Sequence, residues 1–102
     1  MLSCHILDTT TGRPAAGVQC ELRMDSQVLE SGTTDSDGRI KWRTVVPQGT
    51  YSIRFFTKEY FQTTQRSTFF PWVDIVFTVE KGEKYHVPLL LSNYGYSTYR
   101  GS

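Results

Sequence analysis

Cysteine is scarce: Cys4 and Cys20 are the only two in 102 residues, too few for the disulfide framework of small secreted domains. Long apolar runs are missing too. No stretch approaches the roughly 20 residues of a membrane-spanning helix, so no membrane partner is expected. The start, Met1-Leu2-Ser3-Cys4-His5, has neither the basic region nor the apolar stretch of a secretory leader. A cytoplasmic protein is therefore expected, or a peroxisomal one if the source is eukaryotic. Nor is there an excess of one charge. Eleven Lys and Arg stand against ten Asp and Glu, a formal charge of +1, which argues against nucleic acid as the main partner. A Gly-x-Ser-x-Gly nucleophile motif, a Gly-rich phosphate loop and a C-x-x-C pair are all lacking.

What the chain does have is a composition of 38% hydrophobic and 14% aromatic residues, too apolar and too balanced in charge for disorder. The length suits a single domain over residues 1–102. A chain this size buries roughly 65% of its unfolded surface, and a small domain without staples often gains core by oligomerising.

Period-two alternation dominates. Val18, Cys20, Leu22 and Met24 form one apolar row; Tyr51, Ile53 and Phe55 another; Val73, Ile75, Phe77 and Val79 a third; Tyr85, Val87, Leu89 and Leu91 a fourth. Such rows are half-buried strands. Turn signals at Gly12-Arg13-Pro14, Asp37-Gly38, Pro47-Gln48-Gly49 and Lys81-Gly82 separate them, with a spacing that suggests an all-β sandwich or barrel of two sheets, about four strands each. The segment Thr57–Gln65 breaks the alternation. Thr57 is placed to cap a short helix there, with Tyr60 or Phe61 toward the sandwich. On the strand near residues 84–92 the outer row is His86, Pro88 and Leu90. An apolar outer face suggests a covered surface, hence a subunit interface. Pro88 cannot donate to a ladder, so its N–H side should lie off the ladder or at a bulge.

The chain has two histidines, His5 and His86. A histidine is most often a surface or a satisfied side chain, but one on a covered apolar face needs a partner or a task. Cys4 adjoins His5, yet strand alternation points it the other way, and no third ligand stands at recognisable spacing, so no metal site is expected. Arg39 follows Asp35-Ser36-Asp37-Gly38 and reads either as a hairpin-turn arginine or as a cation oriented by the two acids. The tail, Asn93 to Ser102, reads either as frayed or, with three tyrosines in six residues, as a packed strand.

Taken together, these segments resemble the 5-hydroxyisourate hydrolases, the transthyretin-like enzymes of urate breakdown. The resemblance rests on His5-Ile6-Leu7-Asp8-Thr9 with Gly12-Arg13-Pro14-Ala15, on Asp37-Gly38-Arg39, on Phe69-Phe70-Pro71, on Tyr85-His86-Val87-Pro88-Leu89-Leu90-Leu91-Ser92, and on the closing Tyr99-Arg100-Gly101-Ser102. It covers nearly the whole chain, and the closing motif separates these enzymes from transthyretin itself. Cys4, where threonine is common, and Trp72, where an acidic residue is frequent, depart from the pattern.

The resemblance implies an all-β, transthyretin-like sandwich of seven to eight strands, with one short helix near residues 58–65. It implies a homotetramer built as a dimer of dimers, with active sites where dimers meet. It implies a catalytic set of His5, Arg39, His86 and Ser102, with Tyr99, Arg100 and Gly101 on the substrate, 5-hydroxyisourate, Tyr99 and Arg100 shaping the pocket or locking the tail, and no metal or other cofactor. One histidine would activate water, with His5 favoured as the base, and Arg39 would stabilise an oxyanion. Ser102 offers a hydroxyl and, at the chain end, a carboxylate. The competing reading is a transthyretin-like carrier of a hormone or other small molecule. Two histidines and an arginine suit a polar, reactive purine derivative better than an apolar ligand.

Overall fold

The computed structural model describes residues 1–80 and 83–102; the turn expected at Lys81-Gly82 lies outside them. Along the chain run β1 (Leu2–Asp8), β2 (Arg13–Pro14), β3 (Gln19–Met24), β4 (Gln27–Thr33), β5 (Arg39–Lys41), β6 (Gly49–Phe55), α1 (Thr57–Thr63), β7 (Val73–Val79), β8 (Tyr85–Leu91) and β9 (Tyr96–Thr98). The described residues thus hold nine strands, more than the seven to eight expected. The difference lies in short pieces such as the two-residue β2, too brief to produce alternation.

Two sheets result. One follows the order β2-β1-β8-β9, with β5 also paired to β1; the other follows β4-β3-β6-β7. Strand β1 runs parallel to β8 and antiparallel to β5. The apolar rows face one another between the sheets. Leu2, Cys4 and Ile6 come from β1, Cys20 and Leu22 from β3, Tyr51, Ile53 and Phe55 from β6, and Val87, Leu89 and Leu91 from β8, all buried. Met24 and Phe77, counted with these rows in the sequence, are more open: Met24 is exposed and Phe77 half-buried. With the even-numbered side chains of β1 inside, Ser3 and His5 are left on the outer face of the five-stranded sheet.

Helix α1 packs through Phe61, which is fully buried, while Tyr60 is half-buried. Thr57 is not its cap. The N-cap is Phe56, with no side-chain cap hydrogen bond, and the Thr57 hydroxyl donates instead to the Phe70 carbonyl at 3.4 Å. The helix is tied to β1 by a buried carboxylate. Asp8 accepts hydrogen bonds from Tyr60 Oη at 2.8 Å and from the Thr10 and Thr11 amides, and it pairs with Arg66. A buried charge persists only when paired and hydrogen-bonded, as here.

Strand β8 carries its proline as expected. Pairing with β9 runs from Leu91 to Leu89, lapses at Pro88, and resumes in the same register as a bridge between His86 and Gly101. The gap falls at the residue that has no N–H to give.

Candidate active site

Three strands place the site through their register. Arg39 of β5 stands opposite His5 of β1, and His5 stands opposite Pro88 of β8. Two pairs further along, on the same face, Ser3 stands opposite His86. A residue-by-residue shift in either ladder would turn these side chains to the core face. The His5 and His86 rings lie 6.2 Å apart between centroids and 23° from coplanar. Ser3 Oγ is 2.8 Å from His86 Nδ1.

Arg39 owes its place to the preceding turn. Gly38 has φ +74°, and a Cβ there would stand 2.6 Å from the Ile6 carbonyl oxygen, so both the left-handed backbone and the close approach require glycine. Asp35 Oδ1 accepts the backbone N–H groups of Asp37 at 2.9 Å and Arg39 at 3.0 Å. This acid therefore shapes the turn rather than holding the guanidinium. Among the described residues, Arg39 enters no ion pair, so its charge acts on the site without neutralisation. Burial, then the charges of Arg39 and His5, hold His86 below the ordinary histidine pKa, so its neutral form prevails at neutral pH.

The tail closes the site on its open side. The Gly101 amide donates to the His86 carbonyl at 2.9 Å. A Cβ at Gly101 would lie 2.5 Å from His86 Cδ2 and 3.1 Å from Cγ: only glycine lets the backbone rest on this imidazole. His5, Arg39, His86, Tyr99, Gly101 and Ser102 line one cleft of about 480 Å³. Arg100 does not join them. Its guanidinium lies 4.8 Å over the Tyr85 ring and donates to Glu83 Oε2 at 3.2 Å, facing a second groove of about 390 Å³ along the edges of β7 and β9. Alternation along the tail sends Arg100 to the side opposite its neighbours, where it fastens the tail instead of lining the cleft. Sequence reasoning missed Ser3 and Lys84, which also line the cleft. For Ser3 the available signal was its spacing of two from His5, which puts both on one face of a strand.

Cys4, beside His5, is fully buried in the core. The described residues gather no group of three His, Cys, Asp or Glu side chains fit to hold a metal, and none of their helices is long and apolar enough to cross a membrane. Trp72, the other departure from the family pattern, lies beneath the Arg54 guanidinium, 4.7 Å from its ring centroid.

The family model for the HIUase/Transthyretin family matches residues 2–101. The chain belongs to this family. It is 48% identical over 110 residues to a 5-hydroxyisourate hydrolase of Salmonella dublin, covering 100% of this chain and 81% of that protein. The solved structure of Klebsiella pneumoniae 5-hydroxyisourate hydrolase superposes with a TM-score of 0.91 at 36% identity, over 99% of this chain and 92% of that one. Sea bream transthyretin in complex with thyroxine superposes with a TM-score of 0.90 at 28% identity, over 98% and 93%. The family thus shares one sandwich between hydrolases and a thyroxine-binding protein.

Proposed function

We infer that this chain is a 5-hydroxyisourate hydrolase, opening the ring of 5-hydroxyisourate to give 2-oxo-4-hydroxy-4-carboxy-5-ureidoimidazoline in urate breakdown. The observation that carries this reading is the convergence of two imidazoles and a guanidinium, without an ion pair among the described residues, on one cleft, in a chain 48% identical to a named hydrolase of this kind. A cleft so charged favours a polar purine derivative over the apolar aromatic ligand of a carrier.

In the reaction we propose, His5 takes a proton from water, whose oxygen attacks a ring carbonyl. Arg39, always cationic, stabilises the oxyanion. The C–N bond of the ring then breaks, and His5 returns the proton to the leaving nitrogen. His86 holds the substrate, Tyr99 and Gly101 shape the cleft, and the Ser102 hydroxyl orients water or substrate. Arg100 serves by locking the tail. No cofactor takes part in this scheme. Four chains assemble as a dimer of dimers over the outer face that carries His86, Pro88 and Leu90, so that the cleft lies between copies.

Urate treated with urate oxidase supplies the short-lived substrate, whose absorbance decay is followed directly. Added protein should speed that decay, and His5→Ala and His86→Ala should each lose at least about tenfold in kcat/KM while staying folded. An unchanged decay with the wild-type protein would sink the hydrolase reading.

A further inference from the structure

The Ser3 hydroxyl has no part in the mechanism above, yet it is the partner of one of the two imidazoles. Its 2.8 Å contact with His86 Nδ1 follows from the fold. Ser3 and His86 are opposed in the parallel β1–β8 ladder, and both face outward because Leu2, Cys4, Tyr85 and Val87 fill the inner face. The far edge of the same ring is held by Gly101, whose backbone leaves no room for a Cβ beside Cδ2. The imidazole is thus gripped on Nδ1 and on its Cδ2 edge. Among the described residues, Nε2 makes no hydrogen bond, and neither does Ser3 Oγ beyond its contact with Nδ1.

A neutral imidazole carries one proton, and the hydrogen bond at one nitrogen decides whether that proton sits there or on the other. A serine hydroxyl can donate its one O–H to an unprotonated ring nitrogen at this distance. We propose that Ser3 is a positioning residue: its hydroxyl donates to Nδ1 of His86 and fixes the neutral ring as the Nε2–H tautomer, a hydrogen-bond donor presented to the cleft.

This rests on the hydrolase reading for its role in turnover, and it divides the labour between the histidines. With Nδ1 occupied by Ser3 and Nε2 protonated, His86 has no free lone pair for the proton of water. That proton goes to His5, and from His5 to the leaving nitrogen. His86 contributes a neutral N–H to a substrate oxygen or nitrogen, without the reorganisation that a mobile water donor would need. Burial and the charges of Arg39 and His5 keep the ring neutral while it does so.

The two histidines of the chain make this directly measurable. A [15N]histidine-labelled sample gives two sets of ring signals, which His5→Gln assigns. In the substrate-free protein at about pH 8, above the ordinary histidine range, His86 should be the Nε2–H tautomer in the wild type and in Ser3→Thr, which keeps the hydroxyl. Ser3→Ala should show exchange-averaged tautomers. Its kcat on 5-hydroxyisourate should fall about tenfold, less than when the imidazole itself is removed, with KM changed less than about twofold. Ser3→Thr should recover kcat. A wild-type Nδ1–H tautomer, or His86 signals that do not respond to Ser3→Ala, would overturn the proposal. The wild-type spectrum needs neither substrate nor variant. It therefore decides the tautomer even where Ser3→Ala folds poorly, and it is read separately from any failure of wild-type hydrolysis.

Discussion

His86 is surrounded by influences that all act in one direction. Burial disfavours its charged form most, and Arg39 and His5 add repulsion. Because burial is the larger cause, Arg39→Met should raise the His86 titration midpoint yet leave it below the ordinary histidine value, as followed by NMR of the ring. An unmoved midpoint would mean that the guanidinium points away from the ring in solution. At this scale the sequence revealed much. His5, Arg39 and His86 were legible as candidates from strand alternation and from the family resemblance. Two residues were less legible. Arg100 came with the family's closing motif, to shape the pocket or to lock the tail, and only the structure turns its guanidinium to Glu83 and Tyr85, since neighbours along an extended tail project to opposite sides. Ser3 was passed over because a serine on a strand is ordinary; only the register with His86, set by residues far along the chain, gives it a partner.

Among the elements, α1 and β1 are joined by Asp8, whose carboxylate ties Tyr60 and Arg66 to the first strand. Burial works to raise its pKa, but the hydrogen bonds from Arg66 and Tyr60, with the Thr11 amide and the Arg66 charge, outweigh it and hold the pKa below the ordinary aspartate value. A carboxylate lowered in this way stabilises the fold above its unfolded pKa, and that contribution is lost as the pH falls through the native value. Asp8→Asn should therefore cost about 3 kcal/mol at neutral pH, the lower end for breaking a buried pair, since Arg66 keeps some access to water. Urea unfolding of the two proteins should give a difference that shrinks as the medium is acidified below the aspartate range. The strands β3, β6, β7 and β8 were legible because each has one face on the core. Strand β4 was not: as a sheet edge it leaves all seven of its residues half-buried or exposed, so no apolar row marks it. The extent of α1 was nearly right, but its start was assigned to the wrong capping chemistry, since the Thr57 hydroxyl turns to the loop before β7.

The molecule as a whole places its candidate cleft on an outer face rather than in its interior. A small sandwich fills the space between its sheets with side chains, which leaves no room there for a ligand. This is the physical reason that the composition pointed to a partner while saying nothing about which face would meet it. The assembly proposed above predicts a solution mass about four times the 11.7 kDa of the chain, measured by sedimentation equilibrium, with specific activity falling on dilution as subunits separate. A monomer that is fully active at every concentration would place the complete site within one chain.

The parallel pairing of β1 with β8 also governs when the cleft can exist at all. Ser3 and His86 are 83 residues apart in the chain, and strand β1 finds its central neighbour only once residues 85–91 have been synthesised. During translation the first strand emerges early and must wait with an open edge while the other sheet forms. Contacts of such long range are slow to close, and an unpaired apolar edge is a hazard while it lasts. The arrangement that brings the two imidazoles together therefore makes their meeting wait on the synthesis of residues 85–91.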